Sequence, residues 1–241
     1  MKSIIIPESY NYIAVFLTFS CNLRCSFCIN DFESKARATK RRLLSGEEWV
    51  EGLNRIVSRP DLPVTLQGGE PTLHRDFSYI VNNIKPELNI DVLTNLRDEK
   101  IFIDKINPNR IKRNAPYASV RVSYHPEIMQ LDPLVKEVLK LQNNGFSIGI
   151  WGVMHPTQEA EILRAKEYCA SLGIDFRIKE FLGEYGGKMH GTYRYESACD
   201  KKFRPCEWFG HCNPCDIKVK TNRFQQFGHS SVEIKFKDQE V

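Results

Sequence analysis

The chain has 241 residues, of which 41% are hydrophobic and 27% are charged, and its formal net charge is +4. This length suits one domain with a small appendage, and this composition is that of a folded globular protein rather than a fibrous or disordered one. No run reaches the ~18 apolar residues of a membrane span, and the basic excess is too small for a dedicated nucleic-acid binder.

The start of the chain bears on the compartment and on the role of its eight cysteines. Pro7 and Glu8 interrupt the first apolar residues, so no secretory signal is recognised and we expect a cytoplasmic protein. In that compartment clustered thiols bind metal or do redox work rather than form structural disulfides.

Short apolar runs alternate with segments of helical periodicity. Strands are predicted at residues 12–18, 63–67, 90–94, 119–123, 146–154 and 174–179. Helices are predicted at 76–84, 100–106, 131–144 and 158–172, and after Ser45, which forms a capping box with Glu48. Six strand-then-helix units are too few for a closed eight-fold barrel. We therefore predict an α/β fold, a partial (β/α)6 TIM-type barrel over residues 1–182, with a cysteine-rich extension over 183–241.

Three cysteines follow the first predicted strand. Cys21, Cys25 and Cys28 have the spacing C-x3-C-x2-C, at the strand end where α/β barrels have their active sites. Three thiolates on one short loop can hold three corners of a cubane iron–sulfur cluster and leave the fourth iron open to a small molecule. The alternative is a zinc loop, but structural zinc normally has four protein ligands and no fourth lies nearby in sequence.

A Gly-Gly-Glu-Pro motif follows the second predicted strand. With the cysteine motif before it, the chain resembles the radical S-adenosylmethionine (SAM) enzymes over roughly residues 12–181. The resemblance implies that the three cysteines, with Phe27 before the last of them, hold a catalytic [4Fe–4S] cluster whose open iron takes the amino and carboxylate groups of SAM. It also implies that the backbone of Gly68 and Gly69, together with Glu70, holds the methionine amino group.

Four further residues at strand ends are candidate SAM contacts. Thr94 and Asn95 end the third predicted strand, where radical SAM enzymes often have a Thr-Asn pair close to SAM; a simple turn is the alternative. Alternation in the fourth strand places Arg121 and Ser123 on the face opposite two valines. If the valines pack under helices, Arg121 can pair with the SAM carboxylate and Ser123 can bind its ribose. Otherwise Arg121 faces an edge of the sheet.

Other residues near this end of the barrel leave two interpretations open. His125 and His155 each follow a strand and precede a proline, so they are either substrate or acid–base contacts, or residues held extended by that proline. The basic run 35–42 either touches an anionic substrate or is a solvated loop. Cys169 falls on an apolar helix stripe, and we expect it in the core.

Four cysteines near the C-terminus are spaced C-x6-C-x5-C-x2-C. They are Cys199, Cys206, Cys212 and Cys215. Four thiolates complete one site for either an iron–sulfur cluster or zinc. The resemblance to SPASM and twitch subfamilies implies an auxiliary [4Fe–4S] cluster. A full SPASM domain needs more cysteines than remain here, so a single twitch-like cluster is the most this segment supports, with structural zinc as the alternative.

The resemblance implies that the reduced cluster cleaves SAM to a 5′-deoxyadenosyl radical, which removes hydrogen from a substrate C–H bond. It also implies a one-electron reductant such as flavodoxin or ferredoxin. Eleven residues before the first predicted strand leave no room for a peptide-recognition domain, so we expect oxidation or rearrangement of a small metabolite of sugar or nucleoside type. A peptide-modifying maturase is the alternative enzyme, and a non-catalytic iron–sulfur or zinc protein is the alternative class.

Overall fold

The computed structural model describes residues 2–8, 10–28, 42–181 and 183–190. Its main element is a six-stranded sheet in which every pairing is parallel. Two short strands, β1 (Ile4–Ile5) and β3 (Ile56–Val57), pair beside it, and β9 (Gly183–Tyr185) and β10 (Lys188–His190) form a hairpin after it. The six strands of the sheet lie in chain order: β2 (Ile13–Thr18), β4 (Val64–Gly68), β5 (Ile90–Thr94), β6 (Val120–Tyr124), β7 (Ile148–Met154) and β8 (Phe176–Glu180). All six predicted strands are confirmed.

Helices follow the strands, as the sequence predicts. Those described are α1 (Gly46–Leu53), α2 (Phe77–Asn83), α3 (Lys100–Lys105), α4 (Leu131–Asn143) and α5 (Glu159–Ser171). The capping box at α1 is confirmed, because Ser45 Oγ accepts from Glu48 N at 3.3 Å and the Glu48 carboxylate accepts from Ser45 N at 2.7 Å. None of the helices in the described ranges has the length and apolar character that a bilayer span requires.

The sheet has an apolar outer face that packs under the helices. Val120 and Val122 of β6 are fully buried there, in a core that also contains Phe77 and Phe102. Cys169 lies in the same core, as expected. Because neighbouring residues of a strand point to opposite faces, Arg121 points to the inner face, which confirms the predicted alternation.

The inner face is concave. The Arg121 guanidinium, on β6, donates to Thr65 Oγ1 on β4 at 2.9 Å and lies 5.9 Å from the ring of Tyr12, just before β2. Strands lie ~4.8 Å apart, so a flat sheet would separate β6 from β2 by about 14 Å. These contacts join side chains that lie two and three strands apart on the same face of the sheet. The fold is a partial TIM-type barrel, and we call the space that it encloses the lumen.

A buried ion-pair network closes the end of the lumen where the strands begin. The Arg113 guanidinium donates to both oxygens of Asp91, at 2.8 and 2.9 Å, and Arg121 lies 3.6 Å from the same carboxylate. The Tyr117 ring lies 4.7, 5.7 and 5.8 Å from the guanidinium carbons of Arg113, Arg177 and Arg121. Asp91 therefore faces two guanidinium groups, whereas Arg177 is paired separately with Asp175 at 3.0 Å, so this network has one guanidinium more than it has carboxylates.

A tight hairpin follows β8. Gly186 and Gly187 connect β9 and β10 with φ of +60° and +71°. A two-residue hairpin turn of type I′ requires this left-handed conformation at both positions, and glycine adopts it at little cost. The same glycines that suggest a loop in the sequence therefore form a hairpin turn.

Candidate active site

The three N-terminal cysteines lie on the loop that follows β2, at the carboxyl end of the sheet. Cys21 and Cys28 are exposed and Cys25 is half-buried. The loop is locally ordered, since the Leu23 N–H donates to Cys21 Sγ at 3.4 Å and the Cys28 N–H donates to the Cys25 carbonyl at 3.2 Å. The spacing thus folds as a short loop with two local hydrogen bonds that involve Cys21, Cys25 and Cys28.

The donor set fits an iron–sulfur cluster. Burial raises the pKa of the Cys25 thiol to about 12, with contributions from the thiols of Cys28 and Cys21, so the three groups lie close enough to repel one another as thiolates. Iron relieves that repulsion by binding them. No three Cys, His, Asp or Glu side chains in the described ranges converge on a single metal ion. A cubane binds each thiolate to a different iron and needs no such convergence.

The Gly-Gly-Glu motif lies directly against this loop. The Gly69 N–H donates to the Thr18 carbonyl at 3.0 Å and the Glu70 N–H donates to the Ser20 carbonyl at 2.8 Å. A Cβ atom at Gly69 would lie 2.2 Å from the Ser20 carbonyl oxygen, a distance that no side chain tolerates. Glycine is therefore required at this position because the two backbones touch.

Glu70 is buried and accepts four hydrogen bonds. One of its oxygens accepts from Thr72 N at 3.1 Å and from the hydroxyls of Thr72 and Thr94, both at 2.7 Å. The other accepts from Asn95 N at 2.7 Å. Burial raises the pKa of the Glu70 carboxyl, and the four donors oppose that rise. Glu70 thereby fixes the ends of β4 and β5 relative to each other.

Thr94 and Asn95 continue this network at the end of β5. Asn95 Nδ2 donates to the side-chain oxygen of Asn22 on the cysteine loop at 2.7 Å. Leu96 has φ +55°, a left-handed conformation that costs a non-glycine residue about 1–2 kcal/mol. Two hydrogen bonds between residues two positions apart stabilise that turn. Leu96 N donates to Thr94 Oγ1 at 3.0 Å, and Arg97 N donates to Asn95 Oδ1 at 3.1 Å. The structure thus brings the predicted residues of β4 and β5 together with the cysteine loop.

Glu127 is a site residue that the sequence did not reveal. Its carboxylate accepts from Ser26 N at 2.8 Å and from Ser26 Oγ at 2.7 Å, between the second and third cysteines. The contact joins the loop after β2 to the turn after β6, 101 residues away in sequence. The only available signal was an acid following the His-Pro pair at a strand end, which is too common to indicate a role.

Aromatic rings lie beside the cysteine loop at the mouth of the barrel. The Phe27 ring lies 5.3 Å from the His125 ring and 5.2 Å from the His155 ring, and it stacks on the latter. Phe181 lies 4.6 Å from His155, and Tyr185 of the hairpin lies 4.9 Å from it. These residues form a cluster of rings beside the cysteine loop, whose Cys21 and Cys28 are exposed.

The two histidines have different environments within this ring cluster. His155 Nδ1 lies 2.8 Å from Thr157 Oγ1, a local bond across the proline. His125 Nδ1 is buried and has no hydrogen-bond partner in the described part of the chain. Burial lowers the pKa of His125 to about 4, so its ring is neutral at physiological pH. Both histidines lie at the mouth, as the sequence predicts.

Arg121 and Ser123 both belong to the inner face, but they lie at different depths. Arg121 is the second residue of β6, near the amino-terminal end of the lumen, where Thr65 and Asp91 engage its guanidinium. Ser123 is half-buried and lies two residues closer to the mouth. Because Thr65 and Asp91 engage the Arg121 guanidinium, Ser123 is the better candidate of the two for a contact with SAM.

Lys179 of β8 also lies on the inner face, two residues beyond Arg177. Its side chain is half-buried, and among the described residues no carboxylate forms an ion pair with it. Burial lowers the pKa of the Lys179 ammonium to about 7, and the positive charge of Arg121 contributes. Lys179 is thus an amine on the inner face that has no carboxylate partner among the described residues and is about half protonated near pH 7.

Two groups of predicted residues lie outside the described residues. They are the four C-terminal cysteines, Cys199, Cys206, Cys212 and Cys215, and the basic run 35–42 apart from Arg42, whose guanidinium pairs with Glu48 at 2.6 Å.

Comparison with known proteins agrees with this geometry. Residues 15–106 match the family model of the radical SAM superfamily, a range that contains the cysteine loop, the Gly-Gly-Glu motif and the end of β5. The match thus places the cysteine loop and the Gly-Gly-Glu motif within a region similar to radical SAM proteins, a family that uses a [4Fe–4S] cluster and SAM.

Curated relatives extend the match beyond that range. The GTP 3′,8-cyclase of Nautilia profundicola is 27% identical over 183 residues, which cover 71% of this chain and 56% of that protein. The molybdenum cofactor biosynthesis protein 1 of Drosophila melanogaster is 27% identical over 199 residues, 75% of this chain and 33% of that protein. The chain thus spans little more than half the length of the first of these relatives, and less of the second.

A solved structure shares the fold. The structure of native anSMEcpe with bound AdoMet and a Kp18Cys peptide superposes with a TM-score of 0.51 at 16% identity, over 73% of this chain and 53% of that one. At this level of identity the likeness concerns the fold alone.

Proposed function

We propose that this chain is a radical SAM enzyme that acts on a small anionic molecule of nucleotide type. When bound, the cluster and SAM supply the chemistry: one electron enters the sulfonium, methionine leaves, and the resulting 5′-deoxyadenosyl radical removes a hydrogen atom from a substrate C–H bond. The electron comes from a one-electron reductant of the flavodoxin or ferredoxin class. The observation that most strongly supports this proposal is the contact between the cysteine loop and the Gly-Gly-Glu motif. The Glu70 N–H donates to the Ser20 carbonyl at 2.8 Å, so the two motifs form one site.

The cysteine loop after β2 and the Gly-Gly-Glu loop after β4 are proposed to bind different parts of the cofactors. Cys21, Cys25 and Cys28 would hold the cluster through three of its irons and leave the remaining iron available to SAM. The backbone of Gly68 and Gly69 is positioned to approach the methionine amino group. Both Glu70 oxygens already accept from this chain's own donors, so we assign Glu70 to fixing Asn95 and Thr94 beside the cofactor.

The ring cluster beside the cysteine loop protects the radical. A 5′-deoxyadenosyl radical removes hydrogen from whatever donor it meets, so water and flexible side chains must be kept away. Phe27, His155 and Phe181 pack ring against ring beside the loop, and Tyr185 extends the ring cluster into the hairpin. Ser123 lies on the inner face of β6, near the mouth, and is proposed for the SAM ribose.

The charge of the lumen supports an anionic substrate. Asp91 faces both Arg113 and Arg121, and Lys179 has no carboxylate partner among the described residues. A phosphate or carboxylate group beside Lys179 would favour its charged form and accept a charge-assisted hydrogen bond from it, and would balance the second guanidinium beside Asp91. GTP, after which several curated relatives are named, carries such groups, and we propose a purine nucleotide as the first substrate to test.

The test is anaerobic reconstitution with iron and sulfide, followed by electron paramagnetic resonance of the reduced protein with and without SAM. SAM binding to an open iron changes the cluster spectrum, and an unchanged spectrum would overturn the proposed cofactor site. Deuterated GTP and a deuterated peptide are then compared for deuterium transfer into 5′-deoxyadenosine. Transfer from GTP supports the nucleotide class, whereas transfer from the peptide alone would replace it by a peptide-modifying activity.

We also propose that Cys199, Cys206, Cys212 and Cys215 bind an auxiliary [4Fe–4S] cluster. Iron analysis of the reconstituted chain tests this, because two cubane clusters give about eight irons per chain and one gives about four. About four irons with one zinc would assign the second site to zinc.

A further inference from the structure

We propose that Glu127 is a positioning residue for the cysteine loop, and that its negative charge lowers the reduction potential of the cluster bound there. The proposal rests on the cluster site proposed above. Its starting point is the two-point contact of one carboxylate with Ser26, which lies between Cys25 and Cys28 in the sequence.

Glu127 is held in place by its own turn. The Ile128 and Met129 N–H groups both donate to the His125 carbonyl, at 3.1 and 2.9 Å. Arg97, from the turn after β5, donates to the Ile128 carbonyl at 3.2 Å. Three strand ends therefore meet at this point, and the carboxylate is presented by an ordered backbone.

The contact is more specific than a surface ion pair. Each Glu127 oxygen takes a different donor of Ser26, one from the backbone and one from the hydroxyl. Both residues are exposed, so the contribution to global stability is small, about 1 kcal/mol or less. The consequence is local. The contact fixes the backbone of the short segment from which two of the three ligands project.

Two electrostatic effects follow for a cluster on this loop. A fixed negative charge nearby makes the addition of an electron less favourable, which lowers the reduction potential. The Ser26 N–H points to Glu127 and is withheld from the cluster sulfurs, where a donor would stabilise the reduced state. Both effects make the reduced cluster a stronger electron donor, as the cleavage of a sulfonium requires.

The experiment compares Glu127→Gln, Glu127→Asp and Ser26→Ala with the wild type. Glu87→Gln is the matched control, because it removes an exposed carboxylate just before β5, at the opposite end of the sheet. The first readout is hydrogen exchange of peptides covering residues 20–28 in the metal-free protein. The second is the midpoint potential of the reconstituted cluster, followed by electron paramagnetic resonance.

We expect faster exchange at residues 20–28 in Glu127→Gln and a midpoint potential shifted to more positive values. Glu127→Asp keeps the charge and should retain most of the low potential, and Ser26→Ala should speed exchange with little change in potential. Glu87→Gln should match the wild type in both. Unchanged exchange in Glu127→Gln would overturn the positioning role whether or not a cluster assembles. An unchanged or more negative potential in that variant would overturn the electrostatic role. Failure of the wild type to assemble a cluster would instead count against the proposed function.

Discussion

Replacing Glu70 by glutamine tests whether one buried carboxylate connects the two motif loops. Glutamine has nearly the same shape, and its oxygen can keep the donors from Thr72 and Thr94 as a neutral acceptor. Its amide group, however, would face the Asn95 N–H, which now donates to Glu70 at 2.7 Å. Two donors would then meet in a buried space, and the Asn95 N–H would lose its partner.

The magnitude follows from the contacts that are lost and the charge that is removed. An orphaned buried N–H costs about 1–3 kcal/mol, and weaker neutral bonds at the other oxygen add to this loss. Removing a buried charge relieves part of its desolvation penalty, so we expect a net loss of about 2 kcal/mol in the free energy of unfolding of Glu70→Gln. Glu70→Ala orphans all four donors, and we expect a loss of about 3–5 kcal/mol.

Urea unfolding of the metal-free protein measures both losses. The midpoint should fall in the order wild type, Glu70→Gln, Glu70→Ala, with the slope unchanged. A glutamine variant as stable as the wild type would refute the reasoning, because it would show that Asn95 does not depend on the carboxylate. An alanine variant more stable than the glutamine variant would refute it as well.

Four further predictions concern other parts of the molecule. Gly69→Ala should lower the iron content after reconstitution, because its Cβ would lie 2.2 Å from the Ser20 carbonyl oxygen; normal iron and SAM binding would contradict this. Phe102→Ala should lower the free energy of unfolding by about 3–5 kcal/mol in urea, since its fully buried ring packs in the aromatic core. The folded pKa of His125, about 4, lies below the ordinary value of about 6.5, so the unfolded state binds its proton first and stability falls as pH drops from 6.5 to 4. That loss is at most about 3 kcal/mol and should be smaller in His125→Gln. Lys179→Met should raise the KM for an anionic substrate about tenfold or more by removing a charge-assisted bond, and an unchanged KM would place the anion elsewhere.

The strands could be predicted from sequence because their chemistry is local. In β6 the alternation of Val120 and Val122 with Arg121 follows from the two faces of one strand, and it places the valines under the helices. The alternation of residues in β6 does not show how far along the lumen Arg121 lies or which side chains it meets there. Nothing in the sequence shows that Asp91 and Thr65 lie within reach of Arg121, because that depends on the order and the register of β4, β5 and β6 in the sheet.

The candidate site could be predicted in part for the same reason. The cysteine spacing and the Gly-Gly-Glu motif are each contained in a few residues, and their contact follows from two neighbouring strands ending side by side. The contact of Glu127 with Ser26 depends on the relative position of two strand ends 101 residues apart in sequence. The hairpin at Gly186 and Gly187 does not follow from the sequence, because paired glycines are equally typical of a loop and of a type I′ turn.

The most direct test of the central claim is the yield of 5′-deoxyadenosine from SAM after anaerobic reconstitution and reduction with dithionite. Wild-type protein should form 5′-deoxyadenosine and methionine in equal amounts, and Cys25→Ala should form none. Cys169→Ala, which removes the core thiol away from the loop, should retain the activity per folded chain. Equal yields from the wild type and Cys25→Ala, or none from the wild type with a full complement of iron, would contradict the account.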